Sequence, residues 1–270
     1  MKITFLGGGN MANALIGGLL KTGFAAADIG VIEIGADSRD KLQAAYGVRT
    51  YAAPDAEALA CDVIVLAVKP QQMQAAVAPL GPHLKGQLVV SIAAGLRLAD
   101  LSRWLGGHQR LVRTMPNTPA LIGAGMTGLC ALPAVTAAER ESAGRVLQAV
   151  GSIIWIDDEA KMDAVTAVSG SGPAYAFLFI EALQQAAVEL GFTPEQARQL
   201  SIETVLGAAR LAQQSPEPAS VLRERVTSKG GTTEAALKTM AERGVLAGIV
   251  AGIHAADARG RELGDLLGKD

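Results

Sequence analysis

Apolar and polar positions along this chain follow two different rhythms. Up to residue 156, short apolar runs alternate with stretches of helical spacing, and from Asp157 onward the runs disappear. In the first part Ile3-Thr4-Phe5-Leu6, Val31-Ile32-Glu33-Ile34, Asp62 to Val68, Leu88 to Ile92 and Leu111 to Met115 read as strands. The run from Asp62 to Val68 is apolar on both faces, which suits a central parallel strand. Shorter runs at Met126 to Ala131 and Ile153 to Ile156 complete the sheet near its edge, joined by a helix from about Thr136 to Val150. Strands alternating with helices predict an α/β fold with a doubly wound, mostly parallel sheet. The second part is rich in Ala, Leu, Glu, Gln and Arg and predicts only helices. Residues 1–156 and 157–270 are thus expected to form an α/β domain and an all-α domain.

Chemistry enters at the first turn. Gly7-Gly8-Gly9-Asn10-Met11-Ala12 follows a strand and opens a helix whose Met11, Leu15 and Leu19 share a face. Read as G-x-G-x-x-A, Gly7 permits the tight turn, Gly9 lets the backbone approach a pyrophosphate, and Ala12 allows close packing of helix on strand. The amides of the new helix, from Asn10 and Met11 onward, then face the phosphates. A dinucleotide site is expected here, with a structural glycine turn as the plain alternative. The strand about Val31 carries the usual discriminating position. An acidic residue there holds the adenosine ribose hydroxyls of NAD, whereas arginine and small polar groups receive the 2′-phosphate of NADP. Glu33 is read as lying inside the strand, and Ser38 and Arg39 in the loop after it. The balance favours NADPH, with NADH as the alternative donor and a solvated surface charge as the alternative for Arg39.

In an open parallel sheet the ligand lies beyond the carboxyl ends of the strands. This places Ala67, Val68, Lys69 and Pro70 beside the cofactor, Lys69 either in contact or as a solvated amine. Ala93-Ala94-Gly95 follow the next strand and are small where a nicotinamide ring needs room. Met115-Pro116-Asn117-Thr118-Pro119 ends the following one, and its two prolines stiffen a loop that either floors a pocket or is a plain turn.

Composition narrows the partners. The chain has 24 Lys and Arg against 26 Asp and Glu, so neither nucleic acid nor an anionic membrane is an expected partner and the ligand should be small. No apolar run reaches the length of a membrane span. Cys61 and Cys130 are far apart and sit in or beside apolar runs, which suggests reduced core thiols in the cytoplasm. No metal site is expected. A signal-peptide reading of Lys2 to Ala27 is opposed by the three glycines, Asn10 and Asn13 in its apolar stretch.

In the helical part, Ser169-Gly170-Ser171-Gly172-Pro173 breaks one helix and starts another that carries Tyr175, Phe177, Leu178, Ile180, Ala182 and Leu183 and is apolar nearly all round. Such helix faces argue for pairing with a second subunit. Further on, Ser228-Lys229-Gly230-Gly231-Thr232-Thr233 precedes another helix. Its amides and hydroxyls form a candidate carboxylate site, although Thr232 as a simple helix cap is the alternative.

Taken in order, Gly7 to Ala12, Ala67 to Pro70, Ser91 to Gly95, Met115 to Pro119, Ser169 to Tyr175 and Gly230 to Thr233 make the chain resemble the pyrroline-5-carboxylate reductases nearly end to end. The resemblance implies a 6-phosphogluconate dehydrogenase-like plan, with an NAD(P)-binding Rossmann domain followed by a substrate and dimerisation domain. It also implies reduction of 1-pyrroline-5-carboxylate to L-proline and at least a homodimer. By that pattern Thr233 hydrogen-bonds the pyrroline nitrogen and is the catalytic residue. Ser228, Gly230, Gly231 and Thr232 hold the carboxylate, Met115 and Pro116 lie on the substrate side, and Asn117 lies on the cofactor side. His83, His108 and His254 read as ordinary residues. Lys229 departs from the Ser-Pro-Gly-Gly turn common in the family, and the segment after Glu33 lacks its Asn-Arg or Ser-Pro pattern. Two rivals share the cofactor fold. A β-hydroxyacid dehydrogenase needs a catalytic lysine, for which Lys161 and Lys238 lack the flanking pattern. A non-catalytic dinucleotide-binding protein predicts decay of the Gly230–Thr233 turn, which is intact.

Overall fold

A computed structural model describes residues 1–269. Eight strands form one sheet: β1 (Ile3–Leu6), β2 (Ile29–Ile32), β3 (Arg49–Tyr51), β4 (Val63–Leu66), β5 (Leu88–Ser91), β6 (Leu111–Met115), β7 (Gly125–Ala131) and β8 (Gly151–Trp155). Their order is β3-β2-β1-β4-β5-β6-β7-β8, and every pair is parallel except β6 with β7. The helices are α1 (Asn10–Lys21), α2 (Ala36–Tyr46), α3 (Met73–Val77), α4 (Leu98–Trp104), α5 (Ala137–Gln148), α6 (Met162–Val165), α7 (Gly172–Glu189), α8 (Pro194–Gln214), α9 (Ala219–Arg225), α10 (Thr232–Glu242) and α11 (Val245–Leu267).

Burial follows the period of two expected of a strand covered on both sides. Phe5, Val31, Val63, Val65 and Val90 pack with Leu15, Ile16 and Leu19 of α1 and Val146 and Leu147 of α5. Leu6, Ile64, Leu66 and Val89 face the other way, onto Met73 and Val77 of α3 and Leu98 and Leu101 of α4. Because Leu6 is level with both Ile32 and Leu66, and Leu66 with Ser91, β1, β2, β4 and β5 end along one line. The chain leaves β1 toward β2 and β3 on one side and returns to β4 on the other, so the switch point of the sheet lies outside the carboxyl ends of β1 and β4.

The chain divides into two compact units, Met1–Ser171 with Ala256–Asp270, and Gly172–Ala255. The sheet unit therefore includes residues 157–171 and the end of α11, both of which the apolar pattern places in the helical half. The first of these segments is held by a buried arginine. Arg113 of β6 donates to Asp163 Oδ1 at 2.8 Å and to Glu159 Oε1 at 3.2 Å, and Glu159 Oε1 also accepts from Leu98 N–H at 2.7 Å. In the second, Arg97 pairs with Asp265 at 2.6 Å, and Leu267 packs against the core on the α3–α4 face.

Three departures from the expected pattern matter most for the cofactor side of the sheet. β2 ends at Ile32, so Glu33 lies just beyond the strand rather than inside it. The segment read as a loop is the start of α2, with Gly35 as its N-cap, so Ser38 and Arg39 are helical. β3 is a three-residue, partly exposed edge strand with no apolar alternation to mark it. The second unit is helical throughout, as its composition requires. Thr193 opens α8 with a full capping box to Gln196.

Candidate functional site

The glycine turn stands at the switch point. Gly7 has φ +99°, which only glycine adopts readily, and a Cβ there would meet Val68 Cγ1 at 2.9 Å and Ala67 O at 3.0 Å. Gly7 is thus required by the protein's own packing. Gly9 is different: its backbone is extended at φ −72° and ψ −177°, and a Cβ would meet nothing nearer than Ala67 O at 4.0 Å. Nothing in the fold demands a glycine at that place, and the space its side chain would fill is open. Gly9 also caps α1 without any side-chain acceptor, leaving the first-turn amides of Asn10, Met11 and Ala12 to an outside anion. Asn13 braces the turn from behind, its Nδ2 donating to Gly8 O at 2.7 Å and Gly9 O at 3.0 Å. The residues present therefore fit a dinucleotide.

Glu33 is fixed against this turn. Its Oε2 accepts from Gly8 N–H and its Oε1 from Gly35 N–H, each at 3.0 Å. Arg39 folds back from α2 and donates to Glu33 O at 2.7 Å and Ile34 O at 2.9 Å, while Ser38 is exposed in the first turn of α2. Ala67, Val68, Lys69 and Pro70 follow β4. Ala67 N–H still donates to Leu6 O at 2.8 Å, Ala67 and Val68 are half-buried, and Lys69 is exposed.

Beyond β5, Ala93 is buried and Ala94 half-buried, and Gly95 turns at φ +78°, where a Cβ would lie 3.3 Å from the Leu267 side chain of α11. Beyond β6, Pro116 is buried and Asn117 is used internally. Its Nδ2 donates to Ser169 O at 3.2 Å and its Oδ1 accepts from Met126 N–H at 2.9 Å. Asn117 thus clips its loop to the segment after α6. That segment, Thr166–Gly170, is a π-helical turn, a feature the sequence reading registered only as a break. A Cβ on Gly170 would lie 2.5 Å from Met115 Cε, so this glycine makes room for the Met115 side chain.

The second glycine turn lies in the helical unit. Gly231 N–H donates to Ser228 O at 3.0 Å and Gly230 has φ +73°, the hydrogen bond and the left-handed third residue of a type II turn. Lys229 stands at the second position, where proline is favoured, so this turn lacks the stiffening that a proline there would give. A Cβ on Gly231 would meet Ser228 Oγ at 2.5 Å and Ser228 O at 3.1 Å, so glycine here leaves the Ser228 hydroxyl its place beside the turn. Gly231, not Thr232, is the N-cap of α10 and supplies no side-chain acceptor; Thr232 and Thr233 are its first two residues, Thr233 half-buried. The Gly230 N–H is engaged by Glu234 Oε2 at 2.7 Å, a carboxylate of this chain at a place proposed for a substrate's.

Among the described residues no group of His, Cys, Asp and Glu is arranged to hold a metal ion. Burial pushes both the Cys61 and Cys130 thiols up, which keeps them protonated and unreactive. His108 is pushed down by burial and contacts Gln87 O at 2.9 Å, a packing role.

Sheet order, switch point and glycine turn define a Rossmann-type dinucleotide fold followed by a helical unit. Residues 2–95 match a family model described as NADP oxidoreductase, coenzyme F420-dependent, and residues 159–263 match one described as pyrroline-5-carboxylate reductase dimerisation. A pyrroline-5-carboxylate reductase of Pseudomonas aeruginosa is 48% identical over 270 residues, covering 99% of this chain and 98% of that protein. Among solved structures, the pyrroline-5-carboxylate reductase of Coxiella burnetii superposes with a TM-score of 0.91 at 41% identity, covering 97% of this chain and 98% of that one. The Plasmodium falciparum pyrroline carboxylate reductase with NADP bound gives 0.85 at 28% identity, with 98% of each chain covered. The chain belongs to the pyrroline-5-carboxylate reductase family.

Proposed function

We propose that this protein reduces 1-pyrroline-5-carboxylate to L-proline with NADPH as hydride donor and NADH as an alternative, the last step of proline synthesis. The observation that carries this reading is the match to a reductase of that name over 99% of the chain. NADPH is favoured because a relative of the same family was solved with NADP bound.

The nicotinamide supplies the hydride at its C4 carbon. The chain's contribution is positioning and charge, since a hydride supplied by bound nicotinamide would reduce the imine carbon without any protein nucleophile. In this reading the α1 amides and Gly9 take the pyrophosphate, and Ala67 to Pro70 line its path. Ala93 and Ala94 give the nicotinamide room, with Asn117 holding the neighbouring loop. Met115 and Pro116 shape the substrate side. The amides of Gly231 and Thr232, with Ser228, hold the substrate carboxylate at the positive end of α10. Gly230 joins them when the substrate carboxylate replaces that of Glu234. Thr233 then places its hydroxyl against the ring nitrogen, which must be protonated for C5 to accept hydride. Ser38 and Arg39 stand on the side of the adenosine 2′ position.

The described residues contain no helix long and apolar enough to cross a membrane. We place the protein in the cytoplasm, as a homo-oligomer joined at least pairwise through its helical segment. Steady-state kinetics with 1-pyrroline-5-carboxylate and each cofactor test the reading. Proline formed with oxidation of NADPH is the expected result, and a folded oligomer that oxidises neither cofactor would overturn it.

A further inference from the structure

We infer that Gly264 and Leu267, in the last turns of α11, are positioning residues for hydride transfer. They hold the backbone of Ala93-Ala94-Gly95, the turn that gives the nicotinamide room, and so fix where the ring presents its C4 carbon. The inference rests on the NAD(P)H reading above and goes beyond it by giving the end of the chain, outside both glycine turns, a part in the rate.

The contact is built from both sides. Gly95 turns at φ +78°, and a Cβ on it would lie 3.3 Å from Leu267 Cδ1. Gly264 is buried within α11, and a Cβ there would meet Gly95 O at 3.2 Å and Arg97 Nε at 3.4 Å. Glycine inside a helix costs stability against alanine, and here it lets the helix backbone come close to the Gly95 carbonyl. Leu267, one turn later, packs against the core on the α3–α4 face. Two polar ties secure the same end of α11. Arg97, the N-cap of α4, donates to Asp265 Oδ1 at 2.6 Å, and Arg103, in the last turn of α4, donates to Gly268 O at 2.7 Å. The second tie lies at the carbonyl end of α11, where a cation is favoured. The turn and the helix that follows it are therefore gripped together. Ala93 and Ala94 leave space for a ring but bring little side chain with which to anchor their own backbone, so the anchor comes from α11. Hydride transfer is sensitive to such support, because a displacement of about 1 Å can cost roughly a hundredfold in rate.

The test compares the intact wild-type oligomer with Leu267→Ala, which removes the packing, Gly264→Ala, which pushes on the Gly95 carbonyl, and Leu267→Met, which keeps the volume. Hydrogen exchange of the free protein over residues 93–97 is expected to quicken by about tenfold or more in Leu267→Ala and to stay near wild type in Leu267→Met. Leu267→Ala and Gly264→Ala should bind NADPH as wild type does, since the phosphate turn is untouched. Both should nevertheless turn over roughly tenfold more slowly, with a larger isotope effect from NADPH deuterated at the transferred position of C4, and Leu267→Met should restore both readouts. Unchanged exchange over residues 93–97 would overturn the inference. So would a lowered unfolding midpoint with wild-type kcat and isotope effect, the mark of a purely structural role. Exchange is read without cofactor or substrate, so it decides the hold on the turn separately from the reaction. A folded wild type that oxidises no NADPH with 1-pyrroline-5-carboxylate would contradict the proposed function instead.

Discussion

Gly7 and Gly9 are two residues apart and have opposite reasons for being glycine. Gly7 needs φ +99° and has Val68 and Ala67 against it, so Gly7→Ala should cost stability, about 1–3 kcal/mol, as a lowered unfolding midpoint. Gly9 has an ordinary extended backbone and open space, so Gly9→Ala should fold with only the small loss of a poorer helix cap. Its NADPH affinity should nevertheless fall at least about tenfold, because the added methyl stands where the pyrophosphate approaches. If Gly9→Ala bound NADPH as wild type does, the pyrophosphate would have to lie away from this turn. The tight turn at Gly7 was legible in the spacing of the G-x-G-x-x-A turn, and the same spacing is what points to a pyrophosphate at Gly9. Glu33 was legible as a residue but not in its setting. Side-chain carboxylates that cap two backbone amides leave no periodic trace, so Glu33 read as one more strand position. Arg113 was hidden for a related reason: a lone arginine inside an apolar run carries no mark of the two acids, 46 and 50 residues later, that neutralise it.

At the scale of elements, Arg113 joins β6 to α6 and to the turn before it, and through Glu159 to the start of α4. Its side chain is only 4% exposed, so Arg113→Ala strands two carboxylates in a largely closed setting. The expected loss is about 3–5 kcal/mol in denaturant unfolding. A loss below about 1 kcal/mol, the range of exposed pairs, would show that the three groups do not act as a buried network. The long apolar strands were read within a residue or two of their ends, because burial on both faces imposes a run that little else produces. The segment from Gly35 to Asp40 was misread because Gly, Asp and Ser favour both loops and helix starts, and here they start α2. The edge strand β3 has too few buried positions to announce itself.

Over the whole molecule, the helical unit exposes more apolar surface than a lone chain keeps in water. Phe177 is 64% exposed, Leu178 66% and Leu246 70%. Patches of this kind mark interfaces, and the match of residues 159–263 to a dimerisation family gives the partner as a second copy of this chain. Phe177→Asp should shift the protein toward monomers in light scattering while the cofactor turn stays intact. A variant that kept the wild-type mass would remove Phe177 from the interface. The helical half was legible as helical and as needing cover, since α7 is apolar nearly all round. Which of its residues travel with the sheet unit was not, because the contacts of residues 157–171 and of the end of α11 depend on pairs such as Arg113–Asp163 and Arg97–Asp265 that are far apart in sequence.

The proposed reaction needs both the turn at Gly7–Ala12, for the cofactor's phosphates, and the turn at Ser228–Thr233, for the substrate's carboxylate. Its most direct test is to incubate the purified oligomer with 1-pyrroline-5-carboxylate and NADPH, follow cofactor oxidation, and measure the amino acid formed, with Thr233→Ala alongside. The account predicts one L-proline per NADPH consumed, and a Thr233→Ala protein that binds NADPH normally but turns over far more slowly. Absence of proline with the folded wild-type oligomer would contradict it.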